Sequence, residues 1–312
     1  MIDAPIGHTY RQSLMISVGL ASYNRPDLLR RAIQSVLSQT YTNLEILISD
    51  NASSNPKVRE VIEEFSRADV RIRCFFHPEN QGAFFNFSSL LNEARGKYFI
   101  WLADDDYWGC EFVENLISRS VKSGAALTYG RAEIVDVDVP AQDRFGKEME
   151  TSIGRFSSIV NFLRFDTDSV FYGVFPTAVG KRLVCLLRNW WVPRFVSAEY
   201  PFLEYNFVSY VFIFGLLSSG GFCNASSEKA VHYVGGRSDF SPSPSIGWRH
   251  IILFFVYVVI HIQMAIRFVV AAFLVGSLTG LLFAPVGAAY LFFRRIKMIA
   301  NQRLNKLLKG FL

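Results

Sequence analysis

The sequence predicts an α/β fold, a mostly parallel sheet flanked by helices, followed by C-terminal hydrophobic membrane helices. Two observations carry the first part. Short β-rich runs alternate with helical stretches from Leu14 to about residue 130, the order that builds βαβ units. Polar residues cluster just after the strand runs, at the edge where parallel sheets bind ligands. The second part rests on the tail, where residues 268–293 contain no Lys, Arg, Asp or Glu.

In chain order, LMISVGLAS (14–22) is a strand, and PDLLRRAIQSVLSQ (26–39) a helix whose Pro26 suits a first turn. LEILISD (44–50) is the second strand, 57–68 the second helix and RIRCFFH (71–77) the third strand. A helix over about 82–94, KYFIWLA (97–103), a helix near 111–122 and AALTYG (125–130) complete the alternation. Beyond it, 131–150 reads as a loop-rich variable region, and aromatic-rich helices are expected near 155–165 and 197–217.

The 312 residues are 51% hydrophobic and 19% charged, which excludes a disordered chain. Of 32 basic and 27 acidic residues, eight basic and no acidic ones follow Phe240. Because these basic residues bracket apolar runs, they suit an anionic membrane rather than nucleic acid, which is not an expected partner. Cys74, Cys110, Cys185 and Cys223 are widely spaced and read as small buried thiols in a reducing compartment. MIDAPIGHTYRQS has no apolar signal core, so the bulk of the chain is expected on the cytoplasmic face of the membrane.

Residues 251–266 form a sixteen-residue uncharged run closed by Arg267, and 268–293 a longer one closed by Arg294 and Arg295. The second is long enough to span a bilayer, and the first is short. A single span would place the basic tail away from the positive side. The favoured expectation is therefore a returning pair that turns near the glycines at 276–280. Residues 294–312 place apolar residues at helical spacing among Lys and Arg, the pattern of a helix lying on anionic lipid.

Asp104, Asp105 and Asp106 end an apolar strand. Adjacent carboxylates repel one another unless a cation neutralises them, and Mg²⁺ or Mn²⁺ bridging to phosphates is the natural partner. Asp50 ends the second strand, beside the loop Ser22, Tyr23, Asn24 and Arg25 that ends the first. Together they suggest a pocket for a nucleotide base or ribose. ENQGAFFN adds Asn80 and Gly82, where a glycine lets the backbone approach a ligand.

With these strings in place, residues 14–130 resemble the catalytic domain of family-2 glycosyltransferases of the GT-A fold. ISVGLASYNRPDLLRRAIQSVLSQTY, LEILISDNASSN and ENQGAFFNFSSLLNEARGKYFIWLADDDYW occur in the family's order. The resemblance implies a nucleotide diphosphate sugar donor of the UDP type, held by Ser22–Arg25, Asp50, Asn80, Gly82, Asp104 and Asp105. It implies Asp106 as metal ligand, since DxD spacing (Asp104 and Asp106) and the family's Asp-Asp pair before an aromatic (Asp105 and Asp106) both include it, with His232 as a further metal or phosphate ligand. Inverting members use a downstream carboxylate as base, here Glu199, with Glu204 as the alternative. Trp190 and Trp191 suit packing, an acceptor sugar or a lipid-facing rim, and Tyr172–Gly173 resembles an acceptor-side loop.

The expected organisation is an N-terminal extension (1–13), a nucleotide-sugar half (14–130), an acceptor half (131–245), membrane-associated helices (246–293) and a basic amphipathic tail (294–312). The function implied is metal-dependent, inverting transfer of a sugar to a lipid-linked glycan acceptor in surface polysaccharide or envelope glycan assembly. The alternatives are transfer directly to a polyprenyl phosphate, or a catalytically inactive membrane scaffold.

Overall fold

In the computed structural model of the chain, the described residues are 14–130, 132–134, 149–165, 169–187, 201–225, 231–233 and 248–309. The first half alternates as the sequence predicts: β1 (Ile16–Ser22), α1 (Pro26–Leu37), β2 (Leu44–Asp50), α2 (Pro56–Ala68), β3 (Ile72–Phe76), α3 (Ala83–Glu93), β4 (Tyr98–Ala103), β5 (Tyr107–Trp108), α4 (Phe112–Ser123) and β6 (Leu127–Tyr129). Within the stretch expected to be loop, β7 (Ala132–Ile134) forms. Then come α5 (Arg155–Phe165), a two-residue strand β8 (Phe175–Pro176), α6 (Thr177–Leu183), α7 (Pro201–Ser219), β9 (Phe222–Asn224) and β10 (Val231–Tyr233). Two long helices follow, α8 (Trp248–Leu274) and α9 (Leu278–Lys309).

Local chemistry explains the helix ends. Pro26 and Pro56 stand in the first turns of α1 and α2, and Asn55 caps α2 by accepting from the Lys57 N–H at 3.1 Å. Gly124 ends α4 in the left-handed conformation.

The main sheet has the order β3-β2-β1-β4-β8, with β1 to β4 parallel and β8 antiparallel at the edge. Its register fixes where the loops emerge. Ser22 pairs with Asp50, Ala21 with Ala103 and Asp50 with Phe76, so the ends of four strands lie level. A smaller sheet, β5-β10-β7, puts His232 opposite Tyr107.

Alternation along β1 gives the sheet two covered faces. Ile16, Val18 and Leu20 join Leu29 and Ile33 of α1, Ile62 of α2 and Leu116 of α4 in one core. The other face carries an aromatic core, in which Trp101 stacks on Phe171 at 4.4 Å and meets Phe212 of α7 edge-on at 5.1 Å. That second core continues into the C-terminal helices, where Phe268 of α8 stacks on Phe214 of α7 at 4.1 Å.

The C-terminal segment corrects one expectation. The uncharged run 268–293 is not a single spanning helix: residues 275–277 interrupt it, with Gly276 at φ 64°, so the chain turns near the glycines where the returning pair was expected to turn. Glycine takes that conformation without the strain of a Cβ. Among the described residues, no helix is long and apolar enough to cross a membrane. A second correction concerns the thiols, all four of which are free: Cys223 is buried and Cys74 half-buried, but Cys110 and Cys185 are exposed.

Candidate active site

The loops after β1, β2, β3 and β4 meet above the level strand ends. The Asp104 carboxylate accepts from the Tyr23 N–H at 3.1 Å and from Arg25 Nη1 at 3.2 Å. Asp105 accepts from the same Arg25 Nη1 at 2.7 Å. Asp50 Oδ1 accepts from both the N–H and the hydroxyl of Ser53, and that hydroxyl accepts from the Asn24 N–H at 2.8 Å. Asn24 sits at φ 59°, a conformation that Asn tolerates better than most residues, and its Oδ1 accepts from the Asn55 N–H at 3.1 Å. The acid that ends β2 is thereby joined to the loop that ends β1.

Asn80 and Gly82 enter through Asn51. Asn51 Nδ2 donates to Asn80 Oδ1 at 2.8 Å and to the Gly82 carbonyl at 3.1 Å, while Asn51 Oδ1 accepts from the Gln81 N–H at 3.1 Å. Gly82 holds φ at 87° with open space around its missing Cβ.

The electrostatics of the acidic triplet are uneven. Burial pushes the Asp104 carboxyl upward in pKa, against the pull of the Tyr23 N–H and Arg25, with Asp105 adding to the rise. Asp106 is 3% exposed, and its carboxyl is pushed up to about 9 by burial first, then by Asp105 and Asp104. Its Oδ1 is buried without a hydrogen-bond partner. A buried carboxyl in that state is neutral at pH 7 unless a cation joins it. That donor suits a hard divalent ion, which takes oxygen ligands and borrows the rest from phosphates and water. Among the described residues no group of three His, Cys, Asp or Glu side chains stands ready to enclose a metal. Asp106 therefore fits as one ligand of an open site.

Three participants escaped the sequence reading. Arg31 donates from Nη2 to the Asp105 carbonyl at 2.8 Å and lies over the Tyr107 ring at 4.7 Å. Ser53 bridges Asp50 to Asn24. Asn86, 3% exposed on α3, donates from Nδ2 to the carbonyls of Ser22 and Ser49 at 3.2 Å each, tying β1 to β2. The signal for Asn86 was present: a lone polar residue within the apolar string AFFNF.

Residues 17–184 match the family model described as Glycosyl transferase family 2. The chain belongs to that family.

Relatives agree. The Escherichia coli protein WfgD, a UDP-Glc:alpha-D-GlcNAc-diphosphoundecaprenol beta-1,3-glucosyltransferase, is 34% identical over 122 residues, covering 39% of this chain and 47% of its own length. WfaP of Escherichia coli carries the same activity name and is 34% identical over 103 residues, 33% of this chain and 40% of its own. The chain thus spans about half the length of these relatives, or less. Among solved structures, S. aureus TarS 1-349 in complex with UDP-GlcNAc has a TM-score of 0.56 at 15% identity, covering 82% of this chain and 67% of TarS. That likeness shows the fold, a GT-A-like α/β architecture.

Five residues that the resemblance brought in lie apart from these loops or outside the described residues. Glu199, Trp190 and Trp191 lie outside the described residues. Glu204 is the fourth residue of α7, and His232 lies on β10 opposite Tyr107, next in sequence to Asp106.

Proposed function

We propose that this family-2 glycosyltransferase transfers a sugar, with inversion, from a UDP-type nucleotide diphosphate donor to a lipid-linked glycan at the cytoplasmic face of a membrane. One observation carries the donor site: the buried, unpartnered carboxylate oxygen of Asp106 among loops from four level strand ends. Asp50 and the Ser22–Arg25 loop, held in register by Ser53, would receive the base and ribose. Asp106 would hold Mg²⁺ or Mn²⁺, with His232, on β10 opposite Tyr107, as the further ligand that the resemblance implies. When bound there, the ion supplies positive charge against the diphosphate leaving group.

The chain's own residues do the remaining work. Arg25, which bridges Asp104 and Asp105, orients those carboxylates and offers a guanidinium to a phosphate oxygen. Glu199 would take the proton from the acceptor hydroxyl as that oxygen attacks the anomeric carbon. The assignment rests on the position of Glu199 just before α7 and on the resemblance to inverting family members. The lipid-linked acceptor is supported by the names of WfgD and WfaP. The membrane side is supported by the basic, acid-free C-terminus.

The test uses purified chain, Mn²⁺, a panel of nucleotide sugars and a GlcNAc-diphosphoundecaprenol acceptor. The product's anomeric configuration is read by NMR. Glu199→Gln is expected to lose ~10²–10⁴-fold in turnover at unchanged donor Kd, and Glu204→Gln to stay active. Retention of configuration, or an active Glu199→Gln beside an inactive Glu204→Gln, would overturn the mechanism.

A further inference from the structure

Among the described residues, the exposed large apolar side chains are concentrated in one place. Apart from Tyr23 and Val70, all lie on residues 153–160 or on the α8–α9 hairpin. Single exposed hydrophobics are ordinary, but a contiguous patch marks an interaction surface. Ile262, Ile266 and Phe273 recur at helical spacing along one side of α8, and Leu282, Val286 and Phe293 along α9. The patch continues onto the globular part. Phe156 of α5 meets Phe283 of α9 edge-on at 5.0 Å, and Ile153 just before α5 is 94% exposed.

The opposite side of the hairpin is fixed in the catalytic domain. Phe268 is stacked on Phe214, and Gly280 approaches Ser218 so closely that a Cβ would stand 2.6 Å from its hydroxyl oxygen. Arg267 donates to the Leu186 carbonyl at 2.9 Å, and Arg294 to the carbonyls of Leu163 and Arg164 at 3.0 and 2.7 Å. Helices held this way keep their inner face against the protein and leave only the outer one exposed, and the half-buried Arg267 and Arg294, tied to backbone carbonyls, oppose rolling of the hairpin.

We infer that the outer face of the α8–α9 hairpin, together with Ile153 and Phe156, docks on an anionic bilayer and enters one leaflet without crossing it. Charge selects this occupant over a second protein chain. No acidic residue follows Phe240, while exposed Lys297 follows Phe293 by one helical turn. A helix lying in the interface buries its apolar face ~5–10 Å deep, with basic residues at the headgroups. The inference rests on the membrane-associated reading above. It adds that α5 of the acceptor half shares the lipid contact, so acceptor site and membrane adjoin.

The test is flotation of the full chain with vesicles of phosphatidylcholine alone or mixed with phosphatidylglycerol. The wild type is expected to float with the anionic vesicles. The pair Ile153→Glu and Phe156→Glu should float at least ~10-fold more weakly, with Val70→Glu unchanged. UDP binding in detergent, measured on each variant, reports whether the donor site survives; its loss in wild type would overturn the functional reading and leave the lipid result standing. Trypsin added outside sealed vesicles should cut the tail at Arg303 or Lys306. Flotation unaffected by the paired substitution, a tail protected until the vesicles are lysed, or a lipid-free dimer dissolved by the same pair would each overturn the inference.

Discussion

Replacing Asp106 by Asn isolates the electrostatic state of the site. In the metal-free fold this carboxyl is raised from an ordinary 3.8 to about 9, chiefly by burial and then by its acidic neighbours. The folded protein therefore keeps a proton that the unfolded chain has released. Its stabilising contribution is complete below pH 4 and declines as pH rises toward 9, because the unfolded state binds fewer protons across that window. At pH 7 the shortfall spans roughly three pH units at ~1.4 kcal/mol each, or ~4 kcal/mol, and relaxation of the loop reduces it toward ~2 kcal/mol. Asn has the same shape and nothing to ionise. Asp106→Asn should thus be ~2–4 kcal/mol more stable than wild type in EDTA at pH 7, with the difference vanishing near pH 4. Urea unfolding followed by circular dichroism in mild detergent, at several pH values, reads this directly. Equal or lower stability of Asp106→Asn at pH 7 would refute the buried-carboxyl account.

Three further outcomes follow from the packing. Asn86→Ala removes the donor to the Ser22 and Ser49 carbonyls, and should cost ~1–3 kcal/mol in urea unfolding while raising the donor Kd. Glu45 is pushed upward by burial, but bonds from Ser17, the Arg95 N–H and Arg73 outweigh that and hold it below the usual carboxylate value. Its stabilisation is present above that value and disappears as pH falls through the folded one. Glu45→Gln should accordingly lose ~1–3 kcal/mol at pH 7 and match wild type in acid. Gly280→Leu, forced against Ser218 and Ala272, should cost ~1–3 kcal/mol and expose α8 to limited proteolysis before the rest of the chain.

The parallel half of the fold was legible because its strands are short apolar runs ending in polar residues, and its helices open on Pro26 and Pro56. Periodicity and punctuation are local, and they survive in a linear reading. The Asp104–Asp106, Asp50 and Ser22–Arg25 clusters were visible for the same reason. What escaped was long-range. Ser53 and Asn86 matter through partners on other elements, and Arg31 through the Asp105 carbonyl. None of these bonds has a sequence signature stronger than a polar residue in an odd place. The turn within 268–293 was legible from the glycines at 276–280, whereas hydropathy alone counts apolar residues and made the run look long enough to span a bilayer. Exposure of Cys110, in a turn, and of Cys185, in a short helical turn, depends on which way each segment faces, and composition does not say.

If the level strand ends form a cation-dependent nucleotide diphosphate site with Asp106 at its heart, UDP binding must depend on both the cation and that carboxylate. Calorimetric titration of UDP into the full chain in detergent, with Mn²⁺ and with EDTA, for wild type and Asp106→Ala, tests it most directly. Wild type is expected to bind UDP only with Mn²⁺, and Asp106→Ala in neither condition, with the variant's circular dichroism unchanged. Equal UDP affinity of the two proteins in Mn²⁺, or undiminished wild-type binding in EDTA, would contradict it.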